Sequence, residues 1–189
     1  MLNRNLCGDN YEAISYLHLQ QKIIQSFQKY RNVRLMYKSF LETQCCGNYR
    51  CRGANVIPEF IQKTIPDAII VENRKLTDVM WDVDGIIVDL PSTALLEVLL
   101  TDKPILAYVD KAAIQMLESA KQLLRKRAIL PETAEEFVAE VEKFLAGNEL
   151  EDICYTNDEF LLAYGTYSNN GQPVSRIAST ISKILGPRP

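Results

Sequence analysis

One stretch, DVDGIIVDLPSTALLEVLLTDKPILAYVD from Asp82 to Asp110, limits what this chain can fold into more than any other. Gly85-Ile-Ile-Val88 is an apolar, β-branched run of the kind that forms a strand buried on both faces. Pro91 cannot donate to a sheet ladder, so the strand ends before it. Ser92 is an N-cap residue, and Thr93–Leu100 continues as an apolar helix. Thr101-Asp102-Lys103-Pro104 turns the chain into a further strand, Ile105–Val109. Such a strand–loop–helix–strand unit brings a helix start to the carboxyl edge of a parallel sheet, where open α/β sheets hold anions and nucleotides.

The rest of the chain repeats the alternation. Asp9 or Asn10 caps a helix reaching about Tyr30, with Ile14, Leu17, Ile23, Ile24 and Phe27 at helical spacing. Asn32–Phe40 reads as a strand ending near Lys38, and Ala68–Val71 as another. Glu72-Asn73-Arg74-Lys75 is a polar turn, and Thr77 caps a short helix through Trp81. Ala112–Arg127 reads as an amphipathic helix whose last residues, KQLLRKR, form a solvated charged face. Ala128–Leu130 is a short strand. Thr133 caps a helix over Ala134–Leu145, with Gly147 as its stop. Phe160–Tyr164 and Val174–Leu185 are further helices. Strands separated mostly by helices predict an α/β fold: a Rossmann-like doubly wound parallel sheet of about five or six strands with helices on both faces. The polar Met1–Cys7 is a poor central strand, although a helix of this kind normally follows one. The expectation is therefore a single domain over residues 1–189 that begins within a larger protein.

The pattern D-x-x-S-T-x-x-x-E-x-x-x-x-x-K-P-I, running from Asp89 to Ile105, resembles the nucleotide-sugar signature of two-domain (GT-B type) glycosyltransferases. It is most similar to the bacterial surface-polysaccharide and CDP-glycerol glycerophosphotransferase-like branch, and the likeness covers residues 30–185. The resemblance implies the C-terminal, donor-binding half of a transferase. Ser92 and Thr93 would hold the diphosphate. Glu97, about one turn into the helix, would accept hydrogen bonds from ribose hydroxyls. In that family the strand ending near Lys38 carries a Lys-x-His-Pro; here Lys38-Ser39-Phe40 stands instead, so Lys38 is either a point charge for a phosphate or a solvated strand end. Glu72 and Asn73 fall where the family meets the nucleotide base; the other reading is an ordinary turn. No catalytic residue is identified. The implied ligand is a nucleotide-diphosphate donor, a nucleotide-sugar or CDP-polyol bound as substrate with no separate cofactor. The implied partner is an N-terminal acceptor domain, without which the chain is expected to be inactive. The implied setting is cytoplasmic, with possible contact at the inner face of the membrane through the full-length protein.

Composition excludes several classes. With 189 residues, 47% hydrophobic and 24% charged, the chain is long enough for a core. A net charge of −3 gives no general attraction to nucleic acid. No apolar run spans a bilayer. Cys45, Cys46 and Cys51 lie close together in a polar loop, TQCCGNYRCRGA, but lack zinc-ribbon spacing, and the chain has one histidine, His18, so no metal is expected. Five cysteines, an odd number, fit a reducing compartment. Two other function classes compete. IIVDLP resembles the strand-Asp-x-Pro of receiver domains, but Lys103-Pro104 precedes its strand rather than following it. The second is a non-catalytic interaction module, or a degenerate transferase half.

Overall fold

The computed structural model describes residues 10–38, 56–72, 74–147, 153–165 and 172–185. Helices α1 (Asn10–Phe27), α2 (Val56–Thr64), α3 (Thr93–Val98), α4 (Glu118–Arg125), α5 (Ala134–Leu145) and α6 (Pro173–Leu185) alternate with strands β1 (Met36–Lys38), β2 (Ile69–Val71), β3 (Ile86–Val88) and β4 (Ile105–Ala107). A 3-10 turn, Leu76–Asp78, precedes β3, and a π turn, Leu161–Gly165, precedes α6.

The expected five- or six-stranded doubly wound sheet is not what the described residues form. β1 pairs in parallel with β2, and β3 in parallel with β4, as two separate two-stranded sheets. Ala128–Leu130 contributes one parallel bridge, Leu106 to Ile129, rather than a full strand. The alternation of strand and helix was readable in the sequence; continuity of the sheet was not, because β1 and β3 share no ladder. The elements are also shorter than their patterns. α3 stops at Val98 because Thr101 Oγ1 donates to the Val98 carbonyl at 2.7 Å and turns the chain. The predicted helix from Ala112 begins only at Glu118. The Asp110 carboxylate accepts from the Ala112 N–H at 2.9 Å, and its carbonyl accepts from Ala113 and Ile114, which winds residues 110–114 into a local turn. Thr77 lies inside the 3-10 turn, whose start is held by the Asp78 carboxylate accepting from the Lys75 N–H.

Side chains alternate across the strands and divide the core into layers. Val88, Ile105 and Ala107 point to α3 and α4, packing with Leu95, Val98, Leu99, Ala120 and Leu124. Leu106 and Tyr108 point the other way, into a cluster with Leu19, Ile23 and Phe27 of α1 and Phe137, Val141 and Leu145 of α5. Tyr108 stacks on Phe137 with centroids 4.7 Å apart and rings 5° from parallel. A third cluster joins Ile24 of α1 to Ile57 and Ile61 of α2, against Leu35, Tyr37 and Ile70.

Local chemistry sets the helix ends. Thr133 Oγ1 accepts from the Glu136 N–H at 3.2 Å while the Glu136 carboxylate accepts from the Thr133 N–H, a reciprocal cap at the predicted start of α5. Gly147, at φ 72°, takes the left-handed conformation that ends it. Gly85, leading into β3, has a different reason: a Cβ there would stand 2.8 Å from the Phe144 ring of α5. Arg127 ends the charged run after α4, but it is buried, not solvated. Its guanidinium donates to the carbonyls of Thr101 at 2.5 Å and Lys103 at 3.0 Å, tying the β3–β4 crossover to the end of α4. Burial lowers its pKa, and Asp102 offsets part of that.

Candidate functional site

The carboxyl ends of the parallel strands carry most of the residues singled out from sequence. At the end of β3 the Asp89 Oδ2 accepts from the Tyr16 hydroxyl at 2.5 Å and from Gln20 Nε2 at 2.9 Å. Tyr16 and Gln20 are one helical turn apart on α1 and therefore share a face. Burial, and then the Asp89 carboxylate, push the Tyr16 pKa far above the ordinary tyrosine range. Tyr16 thus stays protonated and keeps donating. Tyr37 of β1 packs against the cluster that holds Ile24 of α1, so α1 reaches both β1 and, through Tyr16 and Gln20, the end of β3.

The loop leaving β3 does what its sequence predicts at Ser92. The residue is extended, with φ −119° and ψ −161°, and its Oγ accepts from the Ala94 N–H at 3.3 Å. Ser92 and Thr93 are exposed. Glu97 is half-buried, and its carboxylate makes no hydrogen bond or ion pair to a described residue. Leu95, Val98 and Leu99 are buried in the core, which turns the opposite flank of α3, with Thr93 and Glu97, outward. Lys38 is the last residue of β1 and is half-buried. Glu72 is exposed one strand further out, just past β2. Arg74, next in that turn, pairs with Asp82 at 3.4 Å rather than with Glu97. Asn73, Cys45, Cys46 and Cys51 lie outside the described residues. Among the described residues no group of three or more His, Cys, Asp or Glu side chains converges.

Sequence reasoning passed over Tyr16, Gln20 and the hydrogen bonds they make to the half-buried Asp89. The available signal was the four-residue spacing of two hydrogen-bonding side chains on an otherwise apolar helix face. At the end of β4, burial and then Asp110 push the Tyr108 pKa up to about 12. His18 is exposed on α1. The loop leaving β3 therefore offers hydroxyls at Ser92 and Thr93 and a carboxylate acceptor at Glu97, while Lys38 ends β1 in the other strand pair. This set suits a hydroxyl-rich, anionic ligand. The dipole of a six-residue α3 is short, so an anion here depends on the hydroxyls more than on the helix.

Comparison of the chain with protein-family models, with curated protein sequences and with solved structures finds no match. Among the described residues no helix is long and apolar enough to cross a membrane.

Proposed function

We propose that the chain binds the nucleotide-diphosphate part of an activated sugar or polyol at the loop leaving β3, as the donor half of a glycosyltransferase-like protein of surface-polysaccharide synthesis. The observation that carries the reading is the exposed Ser92–Thr93 pair at the carboxyl end of a parallel strand, with the uncommitted carboxylate of Glu97 one turn on. Ser92 and Thr93 meet phosphate oxygens, Glu97 accepts from ribose hydroxyls, and Lys38 supplies the opposing charge. Catalysis and acceptor binding then belong to a partner domain, and the setting is the cytoplasm or the inner face of the membrane.

Thermal melts with CDP-, UDP-, GDP- and ADP-linked donors test the reading. A donor at about 100 times its dissociation constant stabilises the fold by about 2.7 kcal/mol, a shift of several degrees. Glu97→Gln should leave the melting temperature of the free chain nearly unchanged and weaken that donor about 10- to 100-fold, as expected for one charge-assisted hydrogen bond. If no donor shifts the melt at millimolar concentration, the reading fails.

A second reading, a non-catalytic interaction module, draws on α6. Val174, Ile177, Ile181 and Ile184 recur at helical spacing and are all exposed, Ile184 at 78%. A chain that binds no donor but loses an association on Ile177→Lys and Ile181→Lys would favour it.

A further inference from the structure

Asp89, Leu90 and Pro91 join β3 to Ser92, the cap of α3. The proline ring fixes the φ of Pro91 and biases Leu90 toward extended backbone. Val88 is buried on one side of the segment, and on the other the Leu95 N–H closes on the Ser92 carbonyl at 3.0 Å. Asp89 is left as the joint that sets where the chain leaves the sheet. Its Oδ2 accepts from the Tyr16 hydroxyl at 2.5 Å and from Gln20 Nε2 at 2.9 Å, donors 73 and 69 positions earlier in the chain. Burial first, and then the Asp89 carboxylate, hold the Tyr16 hydroxyl protonated.

Both donors stand on one face of α1, a turn apart, and α1 is a firm support for them. Its Leu19, Ile23 and Phe27 are buried with Phe137, Val141 and Leu145 of α5, and its Ile24 with Ile57 and Ile61 of α2. Near its far end Ser26 donates to Glu142 Oε1 at 3.4 Å, and Lys29 pairs with the same carboxylate. Tyr30, just past the helix, donates to the Glu142 carbonyl at 3.0 Å. A helix tied to two others along its length moves less than a three-residue joint held by side chains. The position of α1 therefore sets that of Asp89, and Asp89 sets the start of the loop that presents Ser92 and Thr93.

We propose that Tyr16 and Gln20 are positioning residues for the loop that carries Ser92 and Thr93: through Asp89 they hold that loop in one geometry before a ligand arrives. The role needs no contact between either residue and the ligand. A loop already ordered has less freedom to lose on binding, so its hydroxyls bind more tightly than the same hydroxyls on a loose segment. The inference rests on the donor reading for the identity of the ligand. The ordering of the loop rests on the bonds among Tyr16, Gln20 and Asp89 and stands apart from that reading.

Two measurements on the full chain test it, with the parent, Tyr16→Phe, the double variant Tyr16→Phe/Gln20→Leu, and Ile69→Ala, which destabilises the other strand pair, as control. The first is amide hydrogen exchange at Ala94 and Leu95, whose N–H groups bond to Ser92 Oγ and to the Ser92 carbonyl. Both should exchange about tenfold faster in the double variant, and at the parental rate in the control, which acts on amides that open by global unfolding. The second is calorimetric titration with whichever CDP-, UDP-, GDP- or ADP-linked donor most raises the parent's melting temperature. The double variant should bind it about tenfold more weakly, and the control as the parent does. Should the double variant not fold, Tyr16→Phe, which deletes one oxygen, carries both measurements in the same directions. Unchanged exchange overturns the inference whatever the donors do. Faster exchange with undiminished affinity overturns the positioning role, and so does an equal loss of affinity in the control. If no donor binds the parent, the donor reading fails by itself, and exchange decides whether α1 orders the loop.

Discussion

The two parallel pairs are built from similar residues, Met-Tyr-Lys with Ile-Ile-Val and Ile-Ile-Val with Ile-Leu-Ala, yet they differ in how far they are shut from water. β4 is fully buried, with Ile105, Leu106 and Ala107 at 0% exposure, whereas β2 leaves Ile69 and Ile70 half-exposed. The difference comes from neighbours rather than composition. β4 has β3 on one edge, the Ile129 bridge on the other, and helices on both faces. β2 has β1 alone among the described strands, and α2 packs on one side. Apolar strands become core only when edges and faces are both covered.

Matched substitutions test that contrast most strongly. Ile105→Ala should cost about 2–5 kcal/mol, because a cavity opens in a site packed on every side. Ile69→Ala should cost less, about 1–2 kcal/mol, since part of that side chain already meets water. Urea unfolding of the two variants measures the gap; equal losses would erase the distinction between the pairs.

Arg127 sharpens the comparison, because it locks the β3–β4 crossover from inside. Arg127→Ala removes two charge-assisted bonds, strands the carbonyls of Thr101 and Lys103, and should cost about 3 kcal/mol. Arg125→Ala, two residues earlier, should cost under about 1 kcal/mol. Its side chain is 45% exposed, and its guanidinium pairs with Glu118 and Glu132. Similar losses for both would mean that Arg127 is not the lock.

A smaller effect than at Ile105 or Arg127 is expected where α1 meets β3. Tyr16→Phe removes one bond to Asp89 and should cost about 1.5 kcal/mol at neutral pH. The pH dependence follows from a folded pKa raised above the unfolded value near 10.0. The unfolded chain releases the Tyr16 proton first, so its contribution is intact below pH 10 and declines as the pH rises beyond it. Parent and Tyr16→Phe stabilities should therefore converge above pH 10. A constant difference from pH 8 to 11 would mean that Tyr16 ionises normally in the folded chain.

Local features were the ones open to sequence reasoning. Ser92 and Thr133 cap α3 and α5 because a cap needs only its own next few residues. The strand centres at Ile69–Val71 and Ile86–Val88 follow from β-branched runs, and Ile105–Ala107 from an apolar run after Pro104. Non-local features stayed hidden. That β1 and β3 share no ladder is a matter of tertiary packing, which no local pattern encodes. Arg127 reads as one more charge in KQLLRKR, and only the carbonyls of a turn more than twenty residues earlier turn it inward. Of the site, the Ser92–Thr93–Glu97 spacing was readable, while the Tyr16 and Gln20 bonds to Asp89 join residues about seventy positions apart.

The close approach of Gly85 to Phe144 also bears on how a lineage carrying this fold drifts. With the ring 2.8 Å from any added Cβ, replacing the glycine first meets a clash, whereas trimming the phenylalanine first opens the space. The ring must shift before a larger residue fits at position 85, so the path that changes position 144 first is the less obstructed one. In a set of diverged descendants, larger residues at position 85 should be enriched on backgrounds that have lost the aromatic ring at position 144.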